Sequence, residues 1–232
     1  RTTFRRRAGR REQAVEYQIC GNPDQANVTF ALDAGDAVLV ESGSMSFMSS
    51  HLQVKPRLVG GLLPAVARKL LGGESLFLSE YTAPQPGFVT VAPALPGSIL
   101  CQELKGNSLL LTAGSFLACA PGIELSTQFG GLKALFSGEG AFVVRCQGTG
   151  PLFFNAYGGV VERTVQGEIT VDTGHVVAWE PELQYAIRGM GGLKQTLFSG
   201  EGLVMVFSGS GRIYLQTRHL GGLVRWLNPF CR

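Results

Sequence analysis

The stretch Gly130-Gly131-Leu132-Lys133-Ala134-Leu135-Phe136-Ser137-Gly138-Glu139-Gly140 returns almost unchanged further along the chain. The second copy spans residues 191–202 and reads GGLKQTLFSGEG; with one gap, ten of the eleven residues in the first copy are identical. A looser third version lies upstream, between Gly60 and Phe77. Internal similarity of this kind indicates a repeated structural unit, so we predict three copies of one unit.

The spacing of glycines outside that stretch agrees with three copies. Gly87, Gly150 and Gly211 follow one another at intervals of 63 and 61 positions, and Gly174 follows Gly114 by 60. We therefore predict a basic arm over residues 1–14 and one domain over residues 15–232. That domain would consist of three repeats, at about 15–97, 98–159 and 160–232.

Short runs of apolar, β-branched and aromatic residues fill each repeat, and glycine-containing turns separate them. Residues 28–32 and 37–41 are one such pair, and the runs around 148–150 and 209–211 read as hairpins about a glycine turn. We predict an all-β fold: a three-fold internally repeated β-sandwich or barrel with a pseudo-threefold arrangement. A last strand at 223–227 is expected to close it beside residues 15–19.

Only the first repeat carries an insertion. Its residues 62–71 read LLPAVARKLL, where Pro64 suits a first helical turn and apolar residues share one face. We predict one short amphipathic helix here, which either packs on its own sandwich or contacts a membrane surface or a protein partner. The residues of that contact would be Leu62, Leu63, Val66, Arg68, Lys69, Leu70 and Leu71.

Charge and cysteine content narrow the class of protein. Six arginines lie within the first eleven residues, and the whole chain has a net charge of +3. Without these arginines, 14 basic and 17 acidic residues remain, so the rest of the chain is net acidic. The basic arm is either a solvated tail or a contact with an anionic partner. Five cysteines without a Cys-x-x-Cys pair suit a reducing compartment, and no apolar run reaches membrane-spanning length. We expect a cytoplasmic protein or one peripheral to a membrane.

Catalytic and metal-binding patterns are not apparent in the sequence. The three histidines occupy non-equivalent places in the repeats, and no Ser/His/Asp or Cys/His order stands out, so we expect no enzyme, no metal and no cofactor. The Gly-Glu pair does recur. The candidate ligand or partner residues are therefore Glu74, Glu139, Glu201, Lys133 and Lys194. Alternatively, each glutamate accepts backbone N–H groups of its own turn.

The run Arg68-Lys69-Leu70-Leu71-Gly72-Gly73-Glu74, together with the triplicated units, resembles the altered-inheritance-of-mitochondria 24 family. The resemblance covers about residues 17–226. It implies a fold like that of the tryptophan-responsive RNA-binding attenuation protein, a β-sandwich that assembles into rings, and hence a homo-oligomer. Mitochondrial relatives are linked to inner-membrane organisation. Nucleic-acid binding by the body is not expected, because its basic residues are spread singly.

The sequence thus predicts a non-catalytic β scaffold or interaction protein that self-associates. It would engage a membrane surface or a protein partner through residues 62–71. The alternative is a small-ligand-binding module with its site at the pseudo-threefold axis or at a subunit interface.

Overall fold

The computed structural model describes residues 15–59, 76–129, 142–189 and 203–231. Over these residues the protein is almost entirely antiparallel β-sheet, so the predicted all-β class is confirmed. The strands are β1 (Glu16–Cys20), β2 (Asn27–Leu32), β3 (Ala37–Glu41), β4 (Met45–Met48), β5 (Gln53–Leu58), β6 (Phe77–Thr82), β7 (Gly87–Val91), β8 (Gly97–Thr112), β9 (Phe116–Cys119), β10 (Ile123–Phe129), β11 (Phe142–Tyr157), β12 (Val160–Asp172), β13 (Val176–Trp179), β14 (Gln184–Gly189) and β15 (Leu203–Gln216).

The strands form two sheets. One has four strands in the order β1-β2-β7-β4. The other has eleven strands along the path β12-β15-β13-β8-β11-β9-β3-β6-β5, with β10 also on β11 and β14 also on β15. In β2, Val28, Phe30 and Leu32 are buried and the residues between them are half-buried. This alternation is expected of a strand with one face on a core.

Three successive stretches of the chain use the same kinds of pairing. In each stretch, an early strand pairs with the last strand of that stretch, as β2 does with β7, β8 with β11 and β12 with β15. The strand that follows this early strand also pairs with a later strand of the same stretch, as β3 does with β6, β9 with β11 and β13 with β15. A hairpin completes each stretch, formed by β5–β6, β10–β11 or β14–β15.

Buried side chains gather in three cores. The first core lies around β2 and β7, the second around β8 and β11, and the third around β13 and β15. Strand β3 has Val38 and Val40 in the first core and Leu39 in the second. Strand β13 likewise divides the second core from the third, with Val177 on one side and Trp179 on the other. Adjacent cores therefore share strands that are buried on both faces.

The glycines at 148–150 and 209–211 are not hairpin turns, so that prediction is wrong. They lie inside the continuous strands β11 and β15. In β11 the register shifts between Gln147 and Thr149, which is a β-bulge. Gly148 has a φ of 142°, and a Cβ there would lie 2.2 Å from the carbonyl oxygen of Gly122. Glycine is needed because backbone from β11 and from the start of β10 approach closely, not because the chain reverses.

The predicted closing strand at 223–227 is also wrong, because the chain forms a helix there. Helix α1 (Leu220–Leu227) is followed by a 3-10 turn over Asn228–Phe230. A strand at this point would need a neighbour for its backbone groups, whereas a helix pairs them internally. The predicted helix at 62–71 lies outside the described residues. Within the described part of the chain, no helix has both the length and the apolar content to cross a membrane.

Candidate functional site

The residues predicted to bind a ligand or partner all fall in residues 60–75, 130–141 and 190–202, outside the described residues. This applies to both predicted sets: Glu74, Glu139, Glu201, Lys133 and Lys194, and Leu62, Leu63, Val66, Arg68, Lys69, Leu70 and Leu71. The described strands nevertheless fix the points where these three stretches leave and rejoin the fold.

Each of the three stretches connects the two strands of one hairpin. At the first, the backbone N–H of Val59 donates to the carbonyl oxygen of Leu76 over 3.1 Å. The last paired residues at the three ends are Leu58 with Phe77, Phe129 with Phe142, and Gly189 with Leu203. The candidate glutamates and lysines therefore belong to the connections within three hairpins.

Salt bridges at the surface tie neighbouring strands together. The Arg212 side chain in β15 bonds to Glu180, with Nη2 2.6 Å from Oε1, and its backbone N–H donates to Oε2 of the same carboxylate over 2.8 Å. This hydrogen bonding raises the pKa of Arg212. Arg57 and Glu80 form a second cross-strand bridge of 2.9 Å between β5 and β6. Both carboxylates are bound by an arginine of a neighbouring strand.

Two of the three histidines lie together. The rings of His175 and His219 have centroids 4.9 Å apart, and Nδ1 of His175 is 2.7 Å from the carbonyl oxygen of Gln216. Nδ1 of His219 accepts the N–H of Gly222, so this histidine caps helix α1. The pair thus fixes the corner where β15 ends and the helix begins. Among the described residues, no group of three or more His, Cys, Asp or Glu side chains has the geometry of a metal site.

Burial keeps the interior cysteines unreactive. Burial raises the pKa of Cys101 to about 11 and raises the pKa of Cys119 and of Cys146 well above the usual range. A thiol nucleophile requires the opposite shift, since the thiolate is the reactive form. Cys20 and Cys231 are exposed. Cys119 and Cys146 are buried and Cys101 is half-buried, and all three act as small apolar residues of the cores.

Two buried donors, on the two strands that flank β8, have no hydrogen-bond acceptor. They are Nε of Arg145 and Nε1 of Trp179. Arg145 in β11 pairs with Leu110 in β8, and Leu110 pairs with Trp179 in β13, so the three side chains occupy one face of the sheet. Sequence reasoning missed this pair, because no pattern along the chain connects β11 with β13.

Helix α1 and the turn after it form an exposed apolar surface that the sequence analysis did not predict. Trp226 is 65% exposed and Phe230 is 73% exposed, and their ring centroids lie 5.6 Å apart. We define the C-terminal apolar surface by its exposed residues Leu220, Val224, Trp226, Leu227 and Phe230. The signal was present: Leu220, Leu223, Val224 and Leu227 have the i, i+3, i+4, i+7 spacing of one helix face.

Comparisons with known proteins agree on the family and the fold. The family model described as "Mitochondrial biogenesis AIM24" matches residues 17–218. An uncharacterised protein of Streptococcus pyogenes serotype M6 is 33% identical over 213 residues, which is 86% of this chain and 86% of that protein. An X-ray crystal structure of a Streptococcus pyogenes protein from a structural genomics consortium has a TM-score of 0.77 and 29% identity. It covers 92% of this chain and 98% of that one.

Proposed function

Because the chain belongs to the AIM24 family, we propose that it is a non-catalytic β scaffold with a pseudo-threefold body. In this proposal the body self-associates, and residues 62–71 contact a membrane surface or a protein partner. The recurrence of the same kinds of strand pairing in three successive stretches supports the threefold arrangement. The family supplies no established activity to set against a scaffold role.

The observation that carries the scaffold role is how the described polar side chains are used. Glu180 and Glu80 are bound by arginines of neighbouring strands, and His175 and His219 fix a chain corner. Burial raises the pKa of the interior thiols. Catalytic groups are instead poised by their surroundings for proton transfer or attack. These groups stabilise the sheets and leave the connections free to serve contacts.

Strand β4 supports self-association, because it ends the four-stranded sheet and carries exposed apolar residues. Phe47 in β4 is 58% exposed and meets Phe88 of β7 with ring centroids 6.1 Å apart. An edge strand with exposed apolar side chains invites pairing with another chain. Light scattering over a range of concentrations should give a mass above that of one chain, and Phe47→Ser/Phe88→Ser should lower it. A single-chain mass at every concentration would contradict self-association.

The contact through residues 62–71 is tested by vesicle flotation of the intact protein and of a Leu63→Asp/Leu70→Asp variant. We expect the variant to float at least about tenfold less, because two apolar anchors are replaced by charges. A matched control, Gln53→Glu/Asn107→Asp, adds the same negative charge at exposed positions of the described strands and should float like the parent. Equal flotation of the parent and the Leu variant would remove this segment as a membrane contact.

A small-ligand-binding module remains a second candidate, favoured by the unpartnered donors of Arg145 and Trp179. Two N–H groups on one face could bind a carboxylate or a carbonyl. A thermal-shift screen of small carboxylic acids would reveal such a ligand, and Arg145→Met should abolish the shift. The absence of any shift across the screen, with no ligand retained in native mass spectrometry, would count against this candidate.

A further inference from the structure

Helix α1 is too short to be stable without something that covers it. It has eight residues, none of them buried, and two of them are Gly221 and Gly222. Isolated helices below about 12–15 residues are marginal in water, and each interior glycine costs about 1 kcal/mol relative to alanine. The cap from His219 satisfies one N–H only. The helix therefore needs a contact on its apolar side.

That contact surface is unusual in its charge. Residues 217–232 contain three arginines and no acidic residue, whereas residues 12–201 contain ten basic and seventeen acidic residues. Arg218 and Arg225 flank the C-terminal apolar surface, and Arg232 follows it. A partner for this surface should thus be apolar where it meets Trp226 and Phe230 and anionic around them.

A second copy of the chain would not be a partner that is apolar at Trp226 and Phe230 and anionic around them. Most homodimers use twofold contacts, in which the same patch meets itself. Here such a contact would bring the arginines of both copies together, with no acidic residue in either segment to offset them. The surface of an anionic lipid bilayer offers acyl chains beneath a layer of phosphates, which matches both requirements.

We propose that the C-terminal apolar surface lies in the interface of an anionic lipid bilayer. Leu220, Val224 and Leu227 enter the acyl region, and Trp226 and Phe230 lie at headgroup level, where aromatic side chains are enriched. Arg218, which is exposed just before the helix, extends its charged end to a lipid phosphate. This inference rests on the proposed membrane contact but assigns it to the C-terminus, with residues 62–71 as a separate point of attachment.

Tryptophan fluorescence tests the proposal in the full chain, because Trp226 is one of only two tryptophans and the other, Trp179, is fully buried. Vesicles would contain phosphatidylcholine, with and without phosphatidylglycerol, and a brominated phosphatidylcholine as quencher. We expect quenching of Trp226 emission on the anionic vesicles, and much less without phosphatidylglycerol. Raising the salt to 1 M, where the Debye length is about 3 Å, should weaken it.

Three variants distinguish membrane attachment through the C-terminal apolar surface from attachment through other parts of the chain. Trp226→Ser/Phe230→Ser should keep the parent's melting temperature and float at least about tenfold less. Arg218→Gln should weaken the preference for anionic vesicles. Phe47→Ser/Phe88→Ser removes an exposed aromatic pair from β4 and β7, and its Trp226 quenching should equal that of the parent. This last variant also shows whether self-association alone changes flotation.

Several outcomes would overturn the inference. If the protein floats without quenching of Trp226, the basic arm or residues 62–71 hold it and the C-terminal surface does not. If Trp226→Ser/Phe230→Ser floats normally while Leu63→Asp/Leu70→Asp does not, the proposed function stands and this inference fails. If Trp226→Ser/Phe230→Ser instead lowers the mass in light scattering and no variant floats, the surface is a contact between copies.

Discussion

The two tryptophans lie in opposite surroundings. Trp179, at the end of β13, is fully buried and makes edge contacts with Tyr185 and Phe207, at ring-centroid distances of 5.2 and 5.5 Å. Trp226, in α1, is 65% exposed and contacts Phe230 in a segment with no buried residue. Folding uses the apolar area of Trp179 and leaves that of Trp226 available. The body of the protein is thus complete without the C-terminal surface, which is free for a contact.

The largest expected effect on stability is the difference between two single variants, in which one or the other tryptophan is replaced by alanine. Trp179→Ala should lower the free energy of unfolding by about 3–5 kcal/mol, because it leaves a cavity in the third core. Trp226→Ala should change it by less than about 0.5 kcal/mol. Urea unfolding followed by circular dichroism measures both. Similar losses for the two variants would mean that α1 is packed as part of the body and that Trp226 contributes to folding as Trp179 does.

A buried charge gives a smaller effect, which depends on pH. Burial raises the pKa of Glu41 from 4.5 to about 7, although the Ser44 hydroxyl donates to its carboxylate over 3.1 Å. A raised carboxyl pKa means that the protonated form stabilises the fold, and this stability is lost as the pH rises through about 7. Glu41→Gln should therefore gain roughly 1–2 kcal/mol relative to the parent between about pH 5 and pH 8.

Urea midpoints at the two pH values measure this difference. Ser44→Ala serves as the control, because it removes the donor that favours the carboxylate and should steepen the loss of stability with pH. A parent and a Glu41→Gln variant with parallel pH profiles would show that Glu41 titrates as an exposed carboxyl does.

The smallest expected effect is a difference in the rate at which a thiol reagent labels exposed and buried cysteines. Cys20 and Cys231 are exposed and should react quickly with a thiol reagent, while Cys101, Cys119 and Cys146 should react only after unfolding. Anionic vesicles should slow the labelling of Cys231, which follows Phe230, and leave Cys20 unchanged as an internal reference. Mass spectrometry of labelled peptides reports each site. Fast labelling of Cys119 in the native protein would contradict the buried second core.

The sequence predicted the strands of the body well, because each is specified locally. The apolar run at 37–41 is β3 with the same bounds, and the run at 28–32 is β2, which begins one residue earlier. Glycines were harder to interpret, since the same residue permits a turn, a bulge or a close approach of backbones. At Gly148 the neighbour that requires glycine is Gly122, which is far along the chain.

The C-terminal helix was missed because the analogy with earlier strands outweighed the local spacing of leucines. Residues 223–227 follow Gly221-Gly222, just as strand β12 follows Gly158-Gly159. The local spacing of one helix face was the better guide. The predicted binding residues, from Glu74 to Glu201, lie in connections outside the described residues, so their roles stay predictions.

The strands that divide the cores have a consequence for how this protein can change. A residue at the centre of β3 (Val38–Val40) or in β13 cannot become polar without leaving an unpartnered group in one core or the next. Nor could a protease or a gene truncation remove one unit cleanly, because the remaining neighbour would lose a wall that it shares. The molecule should therefore melt as a single cooperative block and tolerate new sequence mainly in the connections between its strands.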